Sequence, residues 1–293
     1  MTDAQVTFFR RFSSTAVLWT VALWTILGGW EPGFVLLIAG LGLVGLWEYY
    51  NMLDAGNRPN FKGFGMFCGA LLMAGLFYWL GYQRASPDGL YDFEVGTLLF
   101  FMLVIFARQM FPKMKGHVPL ETISFTLFGL FYVPWLFSFV AKIVYLLPRD
   151  ALGHVTGHWY VLFCVLVTKF SDMGAYLTGS LIGKTPLVPH ISPKKTWEGF
   201  FGALAFSTGG ACGLVALMPV KLALLNQTHA VVLGLVLGFA AVIGDLAESL
   251  IKRSCNVKDS GRFLPGIGGA LDLIDSILFT APMMFFYLRF VMR

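Results

Sequence analysis

Nine predominantly apolar stretches follow one another along this chain, most of them close to the ~20 residues a helix needs to cross a bilayer. They run over Phe12–Gly29, Gly33–Tyr50, Phe64–Tyr82, Val95–Met110, Ile123–Leu147, Trp159–Ile182, Phe200–Val220, Ala230–Ile251 and Leu271–Met292. Hydrocarbon offers no partner to a backbone N–H or C=O, so segments of this kind fold as helices. The predicted fold class is therefore all-α, a polytopic integral membrane helical bundle of about nine transmembrane helices. The fourth stretch is the weakest, because its uncharged part ends at Ala107. Only Trp30-Glu31-Pro32 separates the first two, which makes them a tight helical hairpin. No internal repeat of the kind that marks many transporters is visible.

Composition closes off most other classes. Of 293 residues, 57% are hydrophobic and only 13% charged, against about 25% charged in soluble domains. No large soluble domain fits in what remains. The pI of 9.0 comes without a basic patch interleaved with aromatics, so it reads as topology bias and not as nucleic-acid binding. Cys68, Cys164, Cys212 and Cys255 are too far apart to imply a zinc or disulfide framework. The polar, basic Met1–Phe12 precedes an apolar run too long for a signal peptide, so Phe12–Gly29 reads as an uncleaved first span.

Lys and Arg concentrate on the cytoplasmic side of membrane helices. With nine spans, one side holds Arg10, Arg11, Arg58, Lys62, Arg108, Lys113, Lys115, Lys184, Lys194, Lys195, Lys252, Arg253, Lys258 and Arg262. The other holds only Arg84, Lys142, Arg149, Lys221, Arg289 and Arg293. This places the N-terminus and the polar loops in the cytoplasm and the C-terminus outside it, in the inner membrane if the source is bacterial. The expected division is an N-terminal block of spans over 1–122 and a C-terminal block over 123–293. The latter carries cytoplasmic loops at 183–199 and 252–270.

Charged groups inside spans are costly and mark function by default. Glu48 is near a helix end and reads as interfacial. Asp245, Glu248, Ser249 and Lys252 are spaced i, i+3, i+4, i+7 and share one helix face, as do Asp272 and Asp275. Lys169, Asp172 and Tyr176 form a third stripe. Three polar stripes facing into one bundle make a hydrophilic pocket. Such a pocket suits phosphoryl or nucleotidyl transfer. Asp245, Asp272 and Asp275 are hard oxygen ligands for one or two Mg²⁺ ions. Lys252, Arg253 and Lys258 offset phosphate charge. Gly266, Gly268 and Gly269 let backbone amides approach a phosphate at a helix start. Each feature also has a plainer reading: helix–helix hydrogen bonds for the aspartates, topology determinants for the cations, an ordinary turn for the glycines, an ion pair for Lys169–Asp172.

The loop Gly183–Gly199 is the second informative stretch. Two lysines, Lys194 and Lys195, and two hydroxyls, Ser192 and Thr196, before a helix start suit a phosphate-rich ligand, and Thr196 or Ser192 is placed to cap the following helix. The plainer reading here is a positive-inside loop with a cap. His154 and His158 have the i, i+4 spacing of a metal pair but no third ligand, so they read as ordinary loop residues.

At these residues the chain resembles the phosphatidate cytidylyltransferase, or CDP-diacylglycerol synthase, family. The family signature runs S-x-x-K-R, four residues, K-D, then P-G-H-G-G, two residues, D-R-x-D. Ser249, Lys252, Arg253, Lys258, Asp259, Pro265, Gly266, Gly268, Gly269, Asp272 and Asp275 match it in order and spacing. Asp245 matches the aspartate one turn before the signature serine. Asp172, Ala175 and Tyr176 look like the family's D-x-x-A-Y segment, and Ser192-Pro-Lys-Lys-Thr-Trp-Glu198-Gly like its S-P-K-K-T-x-E-G loop. The resemblance covers Lys169 to the C-terminus. Ile267 stands where the family has His, and Leu273 where it has Arg, which removes two polar groups near the expected phosphates.

The resemblance implies an enzyme that joins CTP to phosphatidate, releasing pyrophosphate and CDP-diacylglycerol for phospholipid synthesis. It implies Asp245, Asp272 and Asp275 as Mg²⁺ sites, with Asp245, Ser249, Lys252, Asp272 and Asp275 catalytic. Substrate binding falls to Arg253, Lys258, Asp259, Gly266, Gly268, Gly269, Asp172, Ser192, Lys194, Lys195 and Glu198. Partners are CTP, phosphatidate and membrane lipids, with no nucleic acid; a homo-oligomer is left open. Two rivals stay open: a CTP-dependent enzyme acting on another lipid phosphate or a polyprenol, and an ion-coupled transporter using the aspartates as a cation path.

Overall fold

A computed structural model describes residues 17, 19–25, 28, 30–82, 87–111, 116–146, 156–261 and 268–291. Its helices are α1 (Glu31–Ala55), α2 (Lys62–Phe77), α3 (Pro87–Met110), α4 (Val118–Leu130), α5 (Leu136–Leu146), α6 (Gly157–Ile182), α7 (Trp197–Leu217), α8 (Gln227–Ser254) and α9 (Ala270–Val291). Wide turns of π-helix extend α2 over Tyr78–Tyr82 and join α4 to α5 over Phe131–Trp135. With α4 and α5 counted as one continuous rod, eight helices among the described residues are long and apolar enough to cross a membrane. They coincide with the second to ninth expected spans. The first, Phe12–Gly29, lies largely outside the described residues. The fourth is no longer marginal: its helix begins at Pro87, ahead of the expected Val95, and runs 24 residues.

The chain forms two compact units, Met1–Ala141 with Ser254–Ile274, and Lys142–Arg253 with Asp275–Arg293. The first takes in all of 1–122 and adds 123–141 and 254–274.

In the first unit, α1 opens with Pro32 in its first turn, where a missing N–H costs nothing. Tyr49 and Tyr50 are almost wholly buried. A buried hydroxyl needs an acceptor, and these donate to the carbonyls of Phe125 and Thr126 on α4 at 3.0 and 2.9 Å. Cys68, Phe101 and Leu130 form a core from α2, α3 and α4. Pro134 lies inside the α4–α5 rod. Proline cannot donate to the ladder and its ring crowds the carbonyl one turn back, and the π turn absorbs both effects.

In the second unit, polar side chains tie the helices. Thr168 of α6 donates to Thr280 of α9 at 3.0 Å, and Ser207 of α7 donates to the Gly234 carbonyl of α8 at 2.8 Å. Such bonds hold helices together where no hydrophobic driving force exists between them. Gly244 lets α8 approach α9 closely: a Cβ there would lie 2.7 Å from the Asp275 carbonyl oxygen and 2.8 Å from the Ser276 Cα.

Between α6 and α7 the expected loop is a small antiparallel hairpin, β1 (Pro186–Val188) and β2 (Ser192–Thr196). The Trp197 amide donates to the Thr185 carbonyl at 2.9 Å and closes its base. Of the two candidate caps for α7, Thr196 is the one used: its hydroxyl accepts the Gly199 N–H at 3.1 Å.

Candidate active site

The second unit gathers its charges at one level. Asp245 and Glu248 stand on α8, one turn apart, and Asp275 in the second turn of α9. One carboxylate oxygen from each lies within 4.8 Å of the others. Glu248 and Asp275 are buried, whereas the Asp245 side chain is 42% exposed. Lys195 reaches in from β2 and places its ammonium 2.7 Å from Asp245. Lys252, one turn beyond Glu248, pairs with it at 2.6 Å. Lys169 and Asp172 of α6 pair at 3.0 Å. Asp172 also lies within electrostatic reach of Asp245 and Lys195, and Lys169 of Asp245 and Asp275.

Helix geometry explains why these groups meet. Asp172 is ten residues from the end of α6, Asp245 nine from the end of α8, and Asp275 five past the start of α9. At 1.5 Å per residue they lie roughly 8–15 Å in from those ends. The hairpin leaves the end of α6, so Lys195 arrives at the same level. Small residues do the rest, Gly244 above all.

The set consists of four carboxylates and three ammonium groups. Its formal charge is therefore negative, and its donors are oxygen atoms only. That chemistry fits a hard divalent cation such as Mg²⁺ better than a soft one.

Of the metal ligands expected from sequence, Asp245 and Asp275 are in this cluster, and Glu248 completes it. Glu248 carried a usable signal, its position one turn after Asp245 on the same face. Asp272 has a different setting, in the first unit. Its Oδ2 accepts the Gly269 N–H at 2.8 Å and the Ser260 hydroxyl at 2.7 Å. A carboxylate in the first turn that reaches back to the amide before the helix is half of a capping box, and it also favours the positive end of the helix dipole. The amide expected to meet a phosphate at Gly269 is thus already donated within the protein.

The other expected residues fall as follows. Ser249 is half-buried on α8, and Arg253 is exposed, its Nε donating to the Ile191 carbonyl at 3.4 Å. Ser192 is half-buried and Lys194 exposed on β2. Glu198 accepts the backbone N–H and hydroxyl of Thr185 at 3.2 and 3.1 Å, so it braces the hairpin base. Lys258 and Asp259 are exposed in the first unit, and Gly268 there has φ +130°. Gly266, with Arg262, Pro265 and Ile267, lies outside the described residues, as does His154. Tyr176, the third member of the α6 stripe, is 74% exposed and does not join the cluster.

Glu48 has a role the sequence did not suggest. It is buried within the protein, at 1% exposure. Its Oε2 accepts the Leu271 N–H at 2.8 Å. Nothing local marks this role, because the partner lies 223 residues away.

Residues 9–291 match the sequence profile of the cytidylyltransferase family. The chain belongs to the cytidylyltransferase family. Membership agrees with the resemblance carried by Ser249–Asp275, and with the eight membrane-length helices found among the described residues it makes the chain an integral membrane member of that family. The chain is 41% identical over 227 residues to a phosphatidate cytidylyltransferase of Mycobacterium leprae, covering 72% of this chain and 67% of the relative. It is 31% identical over 273 residues to that of Bacillus subtilis, covering 92% and 93%. A Mycobacterium bovis phosphatidate cytidylyltransferase is 40% identical over 165 residues, covering 55% and 49%, so the match spans about half of that relative's length.

Proposed function

We propose that this cytidylyltransferase family member is a CTP:phosphatidate cytidylyltransferase that makes CDP-diacylglycerol and pyrophosphate at the membrane. The observation that carries the reading is the cluster of Asp245, Glu248 and Asp275 with Lys195 and Lys252 paired to it. A phosphatidate phosphate oxygen attacks the α-phosphorus of CTP, the P–O bond to the β-phosphate breaks, and pyrophosphate leaves. The nucleophile is already an anion at neutral pH, so no strong general base is required. Positioning and charge neutralisation supply the rate, as in other phosphoryl transfers.

Asp245, Glu248 and Asp275 are the groups that would hold Mg²⁺, which when bound neutralises triphosphate charge. Asp272 stands in the proposal as a ligand for a second ion. Lys195 and Lys252 counter the carboxylates and are placed to offer the same charges to phosphates; each keeps a flexible stem, so it moves at little cost. Lys169 holds Asp172 beside Asp245. Ser192, Lys194, Ser249 and Arg253 of the second unit stand in the proposal as phosphate-binding groups, and Lys258, Asp259, Gly266, Gly268 and Gly269 keep the substrate-binding roles that the family signature implies for them. The site faces the cytoplasm, where CTP is, and phosphatidate enters from the bilayer. A cation path for transport is disfavoured because the carboxylates of the second unit meet at one level.

The deciding experiment is incubation of purified protein in lipid micelles with labelled CTP, Mg²⁺ and a panel of phosphatidate, polyprenol phosphate and ether-lipid phosphate. CDP-diacylglycerol from phosphatidate is the expected product. Turnover of another acceptor with none of phosphatidate would reject the assignment.

A further inference from the structure

The carboxylate of Glu48 lies at the start of the helix that carries Asp272 and Asp275. α1 holds it in the first unit, and no functional role attaches to it in the reading above. Its Oε2 accepts the N–H of Leu271, an amide of the first turn of α9. The first amides of a helix have no partner within the helix, and in a membrane bundle each needs one from elsewhere. The carboxylate also presses on the chain at two further points. A Cβ on Gly269 would lie 2.5 Å from Glu48 Oε2, and one on Gly261 would lie 2.5 Å from Glu48 Cδ. Only residues without a side chain allow this approach. Beside it, Ser260 and the Gly269 amide both donate to Asp272. Two carboxylates thus grip one helix start, and the dipole there favours both.

We propose that Glu48 is a positioning residue that fixes the axial and rotational setting of the first turn of α9, and through that rigid helix the placement of Asp272 and Asp275. The inference rests on the phosphatidate cytidylyltransferase reading only for its kinetic consequence. Its structural claim concerns cation binding and stands apart. Removing the carboxylate leaves the Leu271 amide without its acceptor. A shift of one helix start by an ångström is enough to loosen a ligand set built on the next turn.

Three variants test it, with Mn²⁺ as the probe, its binding followed by electron paramagnetic resonance without substrate. Glu48→Gln keeps an oxygen acceptor of the same reach; Glu48→Leu does not; Ser260→Ala removes one donor to Asp272. Glu48→Leu is expected to bind Mn²⁺ at least about tenfold more weakly than wild type, the loss usual when a ligand's support is removed. Glu48→Gln is expected within about threefold of wild type, and Ser260→Ala between the two. kcat with CTP and phosphatidate should fall in the same order while KM for CTP stays constant. A purely structural role would instead lower melting temperature in step with activity and leave the Mn²⁺ affinity of the folded fraction unchanged. Wild-type affinity in folded Glu48→Leu overturns the inference. Should that variant not accumulate, wild-type affinity in Ser260→Ala does so. Wild-type protein that binds Mn²⁺ but turns over no phosphatidate would sink the functional reading and leave this one in place.

Discussion

The Lys195 ammonium on the hairpin lies 2.7 Å from a carboxylate oxygen of Asp245 on α8. The pair joins a loop group expected to touch phosphate with a helix group expected to touch metal. Lys195→Met should therefore lower kcat/KM for CTP by roughly 10²-fold, the usual cost of removing one charge that meets the developing phosphate charge. Steady-state kinetics at saturating Mg²⁺ decide this, and a change under threefold would remove Lys195 from the site.

Glu248 was legible only as a face-mate of Asp245, yet it lies in the three-carboxylate set. Asp245→Asn, Glu248→Gln and Asp275→Asn should each fold and each lose more than about tenfold in rate, roughly 1.4 kcal/mol in barrier. The activity of Glu248→Gln is the sharpest of the three. If it keeps wild-type turnover and wild-type Mg²⁺ dependence, the set is not a metal site.

Asp272 has two roles to separate. An amide oxygen can still accept from Gly269 and Ser260, so Asp272→Asn should melt close to wild type. Asp272→Ala loses the cap and should be destabilised by about 1 kcal/mol. If the charge matters for catalysis, both lose turnover alike; equal melting of the two variants would refute the capping role.

Three carboxylates within reach of one another repel, and a bound divalent ion relieves them. Mg²⁺ at a hundred times its Kd should stabilise the folded protein by about 2.7 kcal/mol. Thermal melting in detergent with and without EDTA measures it. Chelator should abolish turnover, and added Mg²⁺ should restore it.

Gly244 sets the α8–α9 approach behind Asp275. Gly244→Ala should cost about 1–3 kcal/mol by overpacking and reduce Mn²⁺ affinity as Asp275 moves. Unchanged melting and affinity would mean that the helices give way without consequence.

The sequence made the membrane helices plain, because a 20-residue apolar run has few other fates. It also made plain which α8 residues share a face, and that Thr196 could cap α7. What it could not show were partners chosen by packing. Glu48 looks like an ordinary interfacial glutamate until α9 is placed beside it. Asp272 and Asp275 look equivalent at i, i+3, yet one turn of helix puts the first on its own N-terminus and the second against Asp245 and Glu248. The hairpin escaped because Pro186–Thr196 is short, rich in proline and polar, which reads as a loop. Tyr176 keeps its helical spacing but is 74% exposed: it lies a turn nearer the end of α6 than Asp172, and spacing along a helix does not show which of its turns a neighbour covers.

The Glu48–Leu271 bond also bears on how the protein is made. Its two ends are 223 residues apart. At about 5–20 residues per second the ribosome takes roughly 10–45 s to travel between them. Throughout that interval α1 holds a carboxylate whose backbone partner has yet to be synthesised. The early half of the bundle thus waits in an unfinished state, and the arrival of α9 completes it.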